Sequence, residues 1–467
     1  MRLINRNRLS AAIITLLVTT PVWATNGYFT HGTGTKNKSM AGAGLAMPEE
    51  PISMANNPAA ALASAGKFDL GLAVFVPDRY YSTSSSLSNG QGGAFTIGPT
   101  DQRSDNKFHF IPHMAGSWKI NDVSAWAAAF YGRGGMNTTW NWGTATFDPD
   151  GPGPAPVATY PGTYGGGLLG GNGAAGVDLS QAFLDVGYAR KVGDNFTFGA
   201  SLVGVMQVFA ARGLGAFGGY TETFAASGGM QMPANLTNNG HDQSYGLGVK
   251  VGMQWDITEM FAFAASYAPK IKMSKFKDYS DLFADGGNMD IPADLKAGIT
   301  FRPSNAFALN FDVENIWYSD VPSVGNTFSN LYSCPTAGAG GTDLTSCLGG
   351  KNGAGFGWDD MMIYKVGAQW DPGNDWTWRI GYSHGNQPIA SSEVVFNILA
   401  PGVMEDHATF GFTRKLSSGD EFNMSFMYAF KNEVSGPNML DYPDPRYAQN
   451  ITIGMKQWEV EFSYGWK

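Results

Sequence analysis

The chain has 467 residues, 39 acidic against 30 basic, a net charge of -9, only 15% charged side chains, 13% aromatics and 62 glycines. That balance excludes a nucleic-acid binder, which needs clustered Lys and Arg to meet phosphates. No internal window supplies the roughly twenty uninterrupted apolar residues of a membrane-spanning helix, and no linker, charge block or repeat divides the length into separate domains.

Read from the N-terminus, Arg2, Arg6 and Arg8 precede an apolar stretch at 9–18, and Val22-Trp23-Ala24 resembles a cleavage site before Thr25. Residues 1–24 therefore read as a secretory signal peptide. Export without a spanning helix leaves periplasmic, secreted or β-barrel fates. The next segment, 25–67, does not alternate. Its apolar residues Phe29, Met40, Leu45, Met47, Ile52, Met54 and Leu62 are too many for a solvated tail, so we expect a folded plug. Within it Asn57, Pro58 and Ala59 read as a structural turn, since an Asn-Pro pair starts turns and fixes the backbone. Glu49 and Glu50 are candidates for salt bridges to surrounding structure.

From residue 68 onward the pattern has period two. Strand candidates fall at 68–76, 107–119, 123–131, 179–191, 195–208, 243–255, 260–270, 295–303, 306–318, 361–371, 376–384, 406–415, 420–430 and 449–466. Tight turn-rich links such as Asn121-Asp122, Gly193-Asp194 and Ser304-Asn305 alternate strictly with long Gly-, Pro- and Ser-rich stretches near 77–106, 132–178, 209–242, 271–294, 319–360, 385–405 and 431–448. Outer-membrane barrels have this rhythm, with short periplasmic turns and long extracellular loops, whereas a β-sandwich has no reason to keep it. A mean hydropathy of -0.16 suits a barrel with polar residues facing its lumen. At the C-terminus Trp458, Val460, Phe462, Tyr464 and Trp466 alternate with Glu459, Glu461, Ser463 and Gly465, while 451–455 alternates in the other phase. A bulge at Lys456-Gln457 within one long strand keeps the strand count even. The expected fold is an all-β, transmembrane antiparallel barrel of about fourteen strands over 68–467, plugged by 25–67.

Little points to catalysis or metal. His109 and His113 are four apart, which in a strand separates them by about 13 Å, too far to share an ion. No nucleophile elbow, P-loop or HExxH is present. We expect no enzyme, no metal and no cofactor. Cys334 and Cys347, the only cysteines, lie in one Gly-rich segment of an exported chain, and a loop disulfide is expected.

Several stretches resemble the FadL/TodX family of outer-membrane fatty-acid and hydrocarbon transporters. They are Thr25-Asn26-Gly27-Tyr28-Phe29, Met40-Ala41-Gly42-Ala43-Gly44, Asn56-Asn57-Pro58-Ala59-Ala60, Tyr267-Ala268-Pro269-Lys270-Ile271-Lys272, Ile291-Pro292-Ala293-Asp294-Leu295-Lys296-Ala297-Gly298 and Trp376-Thr377-Trp378-Arg379-Ile380-Gly381-Tyr382-Ser383. The terminal Trp466-Lys467 departs from the family's usual aromatic end. The resemblance implies a monomeric, bacterial outer-membrane channel with a hatch. Long-chain fatty acids, or aliphatic or aromatic hydrocarbons, would be captured by the loops, held beside the hatch N-terminus, and released sideways into membrane lipid.

Gly132, Gly134 and Gly135 mark a bend for a lateral gate, or an ordinary loop start. Arg133 offers a partner to a substrate carboxylate, or pairs with a neighbouring Asp or Glu. Tyr28 and Phe29 line the pocket by family analogy, or pack the plug against the wall. Phe209, Phe217, Met230, Met232, Phe276, Leu282 and Phe283, with Met289, form a capture groove or bury one another. Two other functions compete with transport of hydrophobic compounds. One is a general or solute-specific aqueous porin, and the other an outer-membrane barrel hydrolase.

Overall fold

In the computed structural model the described residues are 26–149, 156–169, 172–441, 444 and 446–467; the expected signal peptide lies outside them. Fourteen strands form the barrel. The first seven are β1 (Phe68–Thr83), β2 (His109–Asn121), β3 (Ser124–Asn137), β4 (Gly176–Val192), β5 (Phe196–Arg212), β6 (Asp242–Asp256) and β7 (Phe261–Ala268). The others are β8 (Asp294–Ser304), β9 (Phe307–Ile316), β10 (Met361–Trp370), β11 (Trp376–Gly385), β12 (Asp406–Lys415), β13 (Glu421–Pro437) and β14 (Asn450–Trp466). Each pairs antiparallel with its sequence neighbour, and β14 closes on β1 from Phe68↔Trp466 to Thr83↔Ile451. A short strand, Thr100–Arg103, adds to the end of β1. Among the described residues no helix is long and apolar enough to cross a membrane. Closure removes the sheet edges, the one way strands can satisfy their backbone groups in lipid.

Alternation decides which side chains meet lipid. Leu70 and Leu72 on β1, Leu247 and Val249 on β6, Ile380 and Tyr382 on β11, and Trp458 and Phe462 on β14 point outward and are exposed. Their inward neighbours are buried or half-buried.

The last strand corrects one expectation. No bulge interrupts β14, whose register against β1 is continuous. The register shift lies in β13, between Ala429 and Asn432. Inward residues of β14 are odd-numbered throughout: Ile451, Ile453 and Met455, then Gln457, Glu459, Glu461 and Ser463, all buried. The apparent change of phase is a change of surroundings. The upper lumen is apolar and the lower lumen polar, so the greasy residues switch faces without the backbone doing so.

Residues 26–67 pack inside the lumen, with a short helix at Thr35–Lys38, a 3-10 turn at Pro51–Ala55 and another helical turn at Ala60–Ala63. Charge fixes them to the wall. Lys38 Nζ meets Glu459 at 2.8 Å and Glu461 at 2.6 Å, Lys36 meets Glu421 at 2.6 Å, and Glu49 meets Arg379 at 2.7 Å. Burial opposes charging of Lys38, but the two glutamates outweigh it and raise its pKa. Burial likewise opposes Glu49 ionisation, yet Arg379 and Lys36 hold its carboxyl at about 2. Among the described residues Glu50 makes no such bridge. It accepts from Lys36 N–H at 3.1 Å, and burial beside Asp69 pushes its pKa up to about 7. Close approach also needs glycine in the wall. A Cβ at Gly199 would overlap the backbone of Pro58 and Ala59, and one at Gly381 that of Met40 and Ala41. Asn57 Nδ2 donates to Met253 O at 3.0 Å, while its Oδ1 accepts from Ala59 N–H at 3.0 Å. The Asn57-Pro58-Ala59 turn thus sits against β5 and β6.

Candidate functional site

The long loops fold over one end of the barrel and bury their own aromatics. Phe209, at the end of β5 rather than in the loop after it, lies 4.6 Å from Phe283 and 5.7 Å from Phe276, ring centre to ring centre. Phe217 contacts Phe396 at 5.4 Å and Phe95 at 5.7 Å. Between these clusters lies an outer cavity of about 520 Å³ free of atoms, part of it open to solvent. Phe209, Phe217, Leu282, Phe283, Phe356 and Phe396 carry most of its wall, and among the described residues Ser323 is its one side-chain hydroxyl. Four of the groove candidates meet there, and Phe276 packs behind them. Met230 and Met232 do not join. They are 89% and 61% exposed, because the segment around them turns outward and leaves aromatic rings to close the wall.

One wall of this cavity depends on the bonded pair Cys334–Cys347. Leu348 follows the crosslink, donates through its N–H to Tyr220 O at 2.9 Å, and accepts from Glu222 N–H at 2.9 Å. Those bonds hold its side chain in the cavity lining.

Below lies the start of the N-terminal segment. Tyr28 touches Phe29 at 5.0 Å, Tyr318 at 4.9 Å and Trp358 at 5.8 Å. Burial raises the phenol pKa of both Tyr28 and Tyr318, so both are neutral. Tyr318 Oη donates to Asn26 O. Burial, then Lys38, His407 and Lys365, keep His31 well below its usual pKa.

The glycine run on β3 is a bulge. Gly132 pairs with Ala182 and Gly134 with Gln181, leaving Arg133 as the extra residue. The segment bonds to it: Thr30 N–H donates to Arg133 O at 2.8 Å, and Gly135 N–H to Tyr28 O at 2.9 Å. Arg133 covers the Phe29 ring at 4.1 Å and reaches Asp294 at 3.0 Å and Glu314 at 3.7 Å. Lys365 completes the group, 2.6 Å from Glu314 and donating to His31 O at 3.0 Å. Arg133 is therefore engaged by carboxylates of the protein itself.

At the bulge the barrel wall parts. The β2–β3 ladder runs from Asn121↔Ser124 to His113↔Tyr131, and among the described residues no pair continues it. Both strands go on, β2 back to His109 and β3 to Asn137. A second, inner cavity borders this unpaired edge, lined by Gly135, Met136 and Asn137 of β3 with Gly27, Phe75, Arg79, Trp358, Ala400 and Met455. Two thin strips separate the cavities. Phe356 and Leu399 face the outer one, Trp358 and Ala400 the inner one.

Sequence reasoning missed Tyr318, Phe356, Trp358, Phe396, Arg79 and Asn137. Aromatics within Gly-rich stretches, as in Phe356-Gly357-Trp358, were the available signal. No group of three or more His, Cys, Asp or Glu among the described residues is arranged to hold a metal ion.

A model of the outer membrane protein transport family (OMPP1/FadL/TodX) matches residues 159–436. The chain belongs to this family. Its fold is that of solved relatives at low identity. The toluene transporter TbuX of Ralstonia pickettii matches at 15% identity and a TM-score of 0.55, over 93% of this chain and 98% of that one. The toluene transporter TodX of Pseudomonas putida matches at 13% and 0.56, over 94% and 99%. A FadL homologue of Pseudomonas aeruginosa matches at 15% and 0.60, over 94% and 98%. A comparison with curated proteins finds no match. Membership of the FadL/TodX family places the chain in the outer membrane as a transport protein.

Proposed function

We propose that this FadL/TodX-family chain is a monomeric, passive channel for hydrophobic compounds, either long-chain fatty acids or aliphatic or aromatic hydrocarbons. The observation that carries the reading is the sequence of two cavities ending at an unpaired edge of the wall. A solute leaves water for the outer cavity, gaining roughly 25 cal/mol for each Å² of apolar surface buried. The segment at Asn26–Phe29 holds Trp358 and Tyr318 across the way inward, so its displacement passes the solute to the inner cavity. From there the interrupted β2–β3 ladder offers release into lipid, and the solute never crosses periplasmic water. Residues 26–67 act as the hatch, and Gly132, Gly134 and Gly135 as the bend of the lateral gate. No catalytic step or cofactor is needed.

A general porin would keep a water-filled lumen, and a lumen packed with 26–67 disfavours that reading. Uptake of radiolabelled oleate, hexadecane and toluene by expressing cells tests the proposal. Uptake of at least one class above empty cells is expected. No hydrophobic uptake, together with ion conductance by the intact chain, would overturn it in favour of the porin. Deleting 25–67 should make a silent channel leaky.

A further inference from the structure

The outward face of the barrel is apolar up to one level and charged above it. On β14 Trp466, Tyr464, Phe462, Val460 and Trp458 face lipid, and the next outward side chain is Lys456. On β1 Leu72, Val74 and Val76 give way to Asp78, and on β13 Tyr428 and Phe430 give way to Lys431. At roughly 3.3 Å per residue and a tilt of about 40°, the stretch from Lys456 to Trp466 climbs roughly 25 Å, the height of the apolar band on an outer-membrane barrel. The long loops leave from the Lys456 end. Asp78, Lys431 and Lys456 therefore stand at the head-group level of the outer leaflet. Three cations meet there around one tyrosine. Arg103, on the short strand beside β1, is paired with Tyr80 across the ladder. Its Nη1 donates to both Asp78 oxygens at 2.7 Å, and its guanidinium lies 5.3 Å from the centre of the Tyr80 ring. Lys431 Nζ lies 5.3 Å from the same ring centre and 2.9 Å from Glu433, to which Tyr80 Oη donates at 2.7 Å. A Cβ at Gly454 would overlap the phenol end, so glycine lets the ring lie against the wall. Lys456, opposite Asp78 on β14, reaches it only at 3.8 Å.

We propose that Arg103, Lys431 and Lys456 form a binding site on the outside of the barrel for the phosphate of a phosphorylated lipid in the outer leaflet. The inference uses the outer-membrane placement alone and holds whichever solute the channel carries. Two carboxylates face three cations here, and Asp78 is already taken by Arg103, so Lys456 carries the surplus charge. All three cationic side chains are about half exposed and open to the head-group layer. A phosphate accepts from the planar fork of Arg103 and pairs with the two ammonium groups as point charges. Asp78 and Glu433 hold Arg103 and Lys431 in position before the lipid arrives. Below them the outward rings of Trp458, Tyr428 and Phe430 offer an apolar surface to the acyl chains of the same molecule. Charge at head-group depth above an aromatic surface fits an anionic amphiphile, and it fits neither a free ion, which needs no rings, nor a neutral lipid, which needs no cations.

The test titrates purified full-length protein, in non-ionic detergent, with a fluorescent glycolipid bearing two phosphates and with its dephosphorylated form. Wild type should bind the phosphorylated lipid about tenfold or more tightly, the scale of one charge-assisted hydrogen bond. Arg103→Gln and Lys456→Gln should each lower that preference by about threefold or more. The triple variant Arg103→Gln, Lys431→Gln, Lys456→Gln should abolish it and leave binding of the dephosphorylated lipid unchanged. Arg190→Gln removes an exposed cation at the opposite end of the barrel and should leave the preference intact. Should Arg103→Gln disturb the short strand, Lys456→Gln decides, since its contact with Asp78 is long. Inorganic phosphate at the concentration of the lipid should not displace it. Equal binding of the two lipids by wild type, or a preference that survives the triple variant, overturns the inference. Displacement by equimolar inorganic phosphate overturns it too, because the site would then be one for a free anion.

Discussion

Lys38→Met is the substitution that most severely tests how the N-terminal segment is held. Lys38, Glu459 and Glu461 have side chains 3%, 3% and 1% exposed, and the ammonium lies 2.8 and 2.6 Å from the two carboxylates. Methionine keeps the volume and removes the charge, leaving two carboxylates buried without their shared cation. Breaking a buried pair in this way costs about 3–5 kcal/mol. At 1.4 kcal/mol per factor of ten, the undocked population should rise by roughly two to four orders of magnitude. Single-channel recording in planar bilayers reads this as frequent conducting events in a channel that is otherwise silent. The triple variant Lys38→Met, Glu459→Gln, Glu461→Gln restores neutrality and should be far quieter, because removing a whole buried pair is often nearly neutral. A single variant as silent as wild type, or a triple variant as leaky as the single one, would refute the electrostatic argument.

Other outcomes follow from the same geometry. Glu50 titrates near 7 when docked against an ordinary 4.5, so the docked state holds the extra proton in between. Its contribution to docking is present below 4.5, fades as pH rises toward 7, and amounts to about 3 kcal/mol at most. Conductance should therefore increase from pH 5 to 8, and Glu50→Gln should flatten that rise. Glu49 works in the opposite sense: its stabilisation is present above 4.5 and is lost as pH falls toward 2. Phe283→Ala removes a ring from the outer cavity and should weaken binding of a bound hydrophobe about tenfold in a nanodisc titration, as expected for 1–2 kcal/mol of lost burial. Replacing Cys334 and Cys347 by serine frees the loop bearing Leu348. Loop protection against hydrogen exchange should fall by about 3 kcal/mol, the scale for a crosslink of that span, while the barrel melts unchanged.

The strands were legible because a wall between lipid and lumen imposes period two on every crossing, and the alternation of short and long links gave their direction. The N-terminal segment was legible as buried from Met40, Ile52 and Met54. What holds it there was not. Lys38 and Glu461 are separated by 423 positions, and no local pattern ties them together. The same limit hid the partners of Arg133: pairing with a carboxylate was foreseen, but the carboxylates come from β8 and β9. At β14 the sequence misled, because an apolar upper lumen and a polar lower one mimic a slipped register. In the loops Phe209, Phe217 and Phe283 stood out as aromatics among glycines. Met230 looked equivalent, yet burial depends on how the segment turns, which composition does not encode.

Lateral release at the β3 bulge is open to a direct test through Gly134→Leu. A Cβ there would overlap Gln181 Oε1 and press on the Phe29 ring, so a leucine fills the space beside the interrupted ladder. The measurement is uptake of radiolabelled 1-dodecanol and dodecane by cells expressing wild type or Gly134→Leu, with binding to the outer cavity measured on the same purified proteins. Lateral release requires that uptake fall to the level of empty cells while outer-cavity binding is retained. Uptake that persists at the wild-type rate would contradict it and put the exit through the hatch instead.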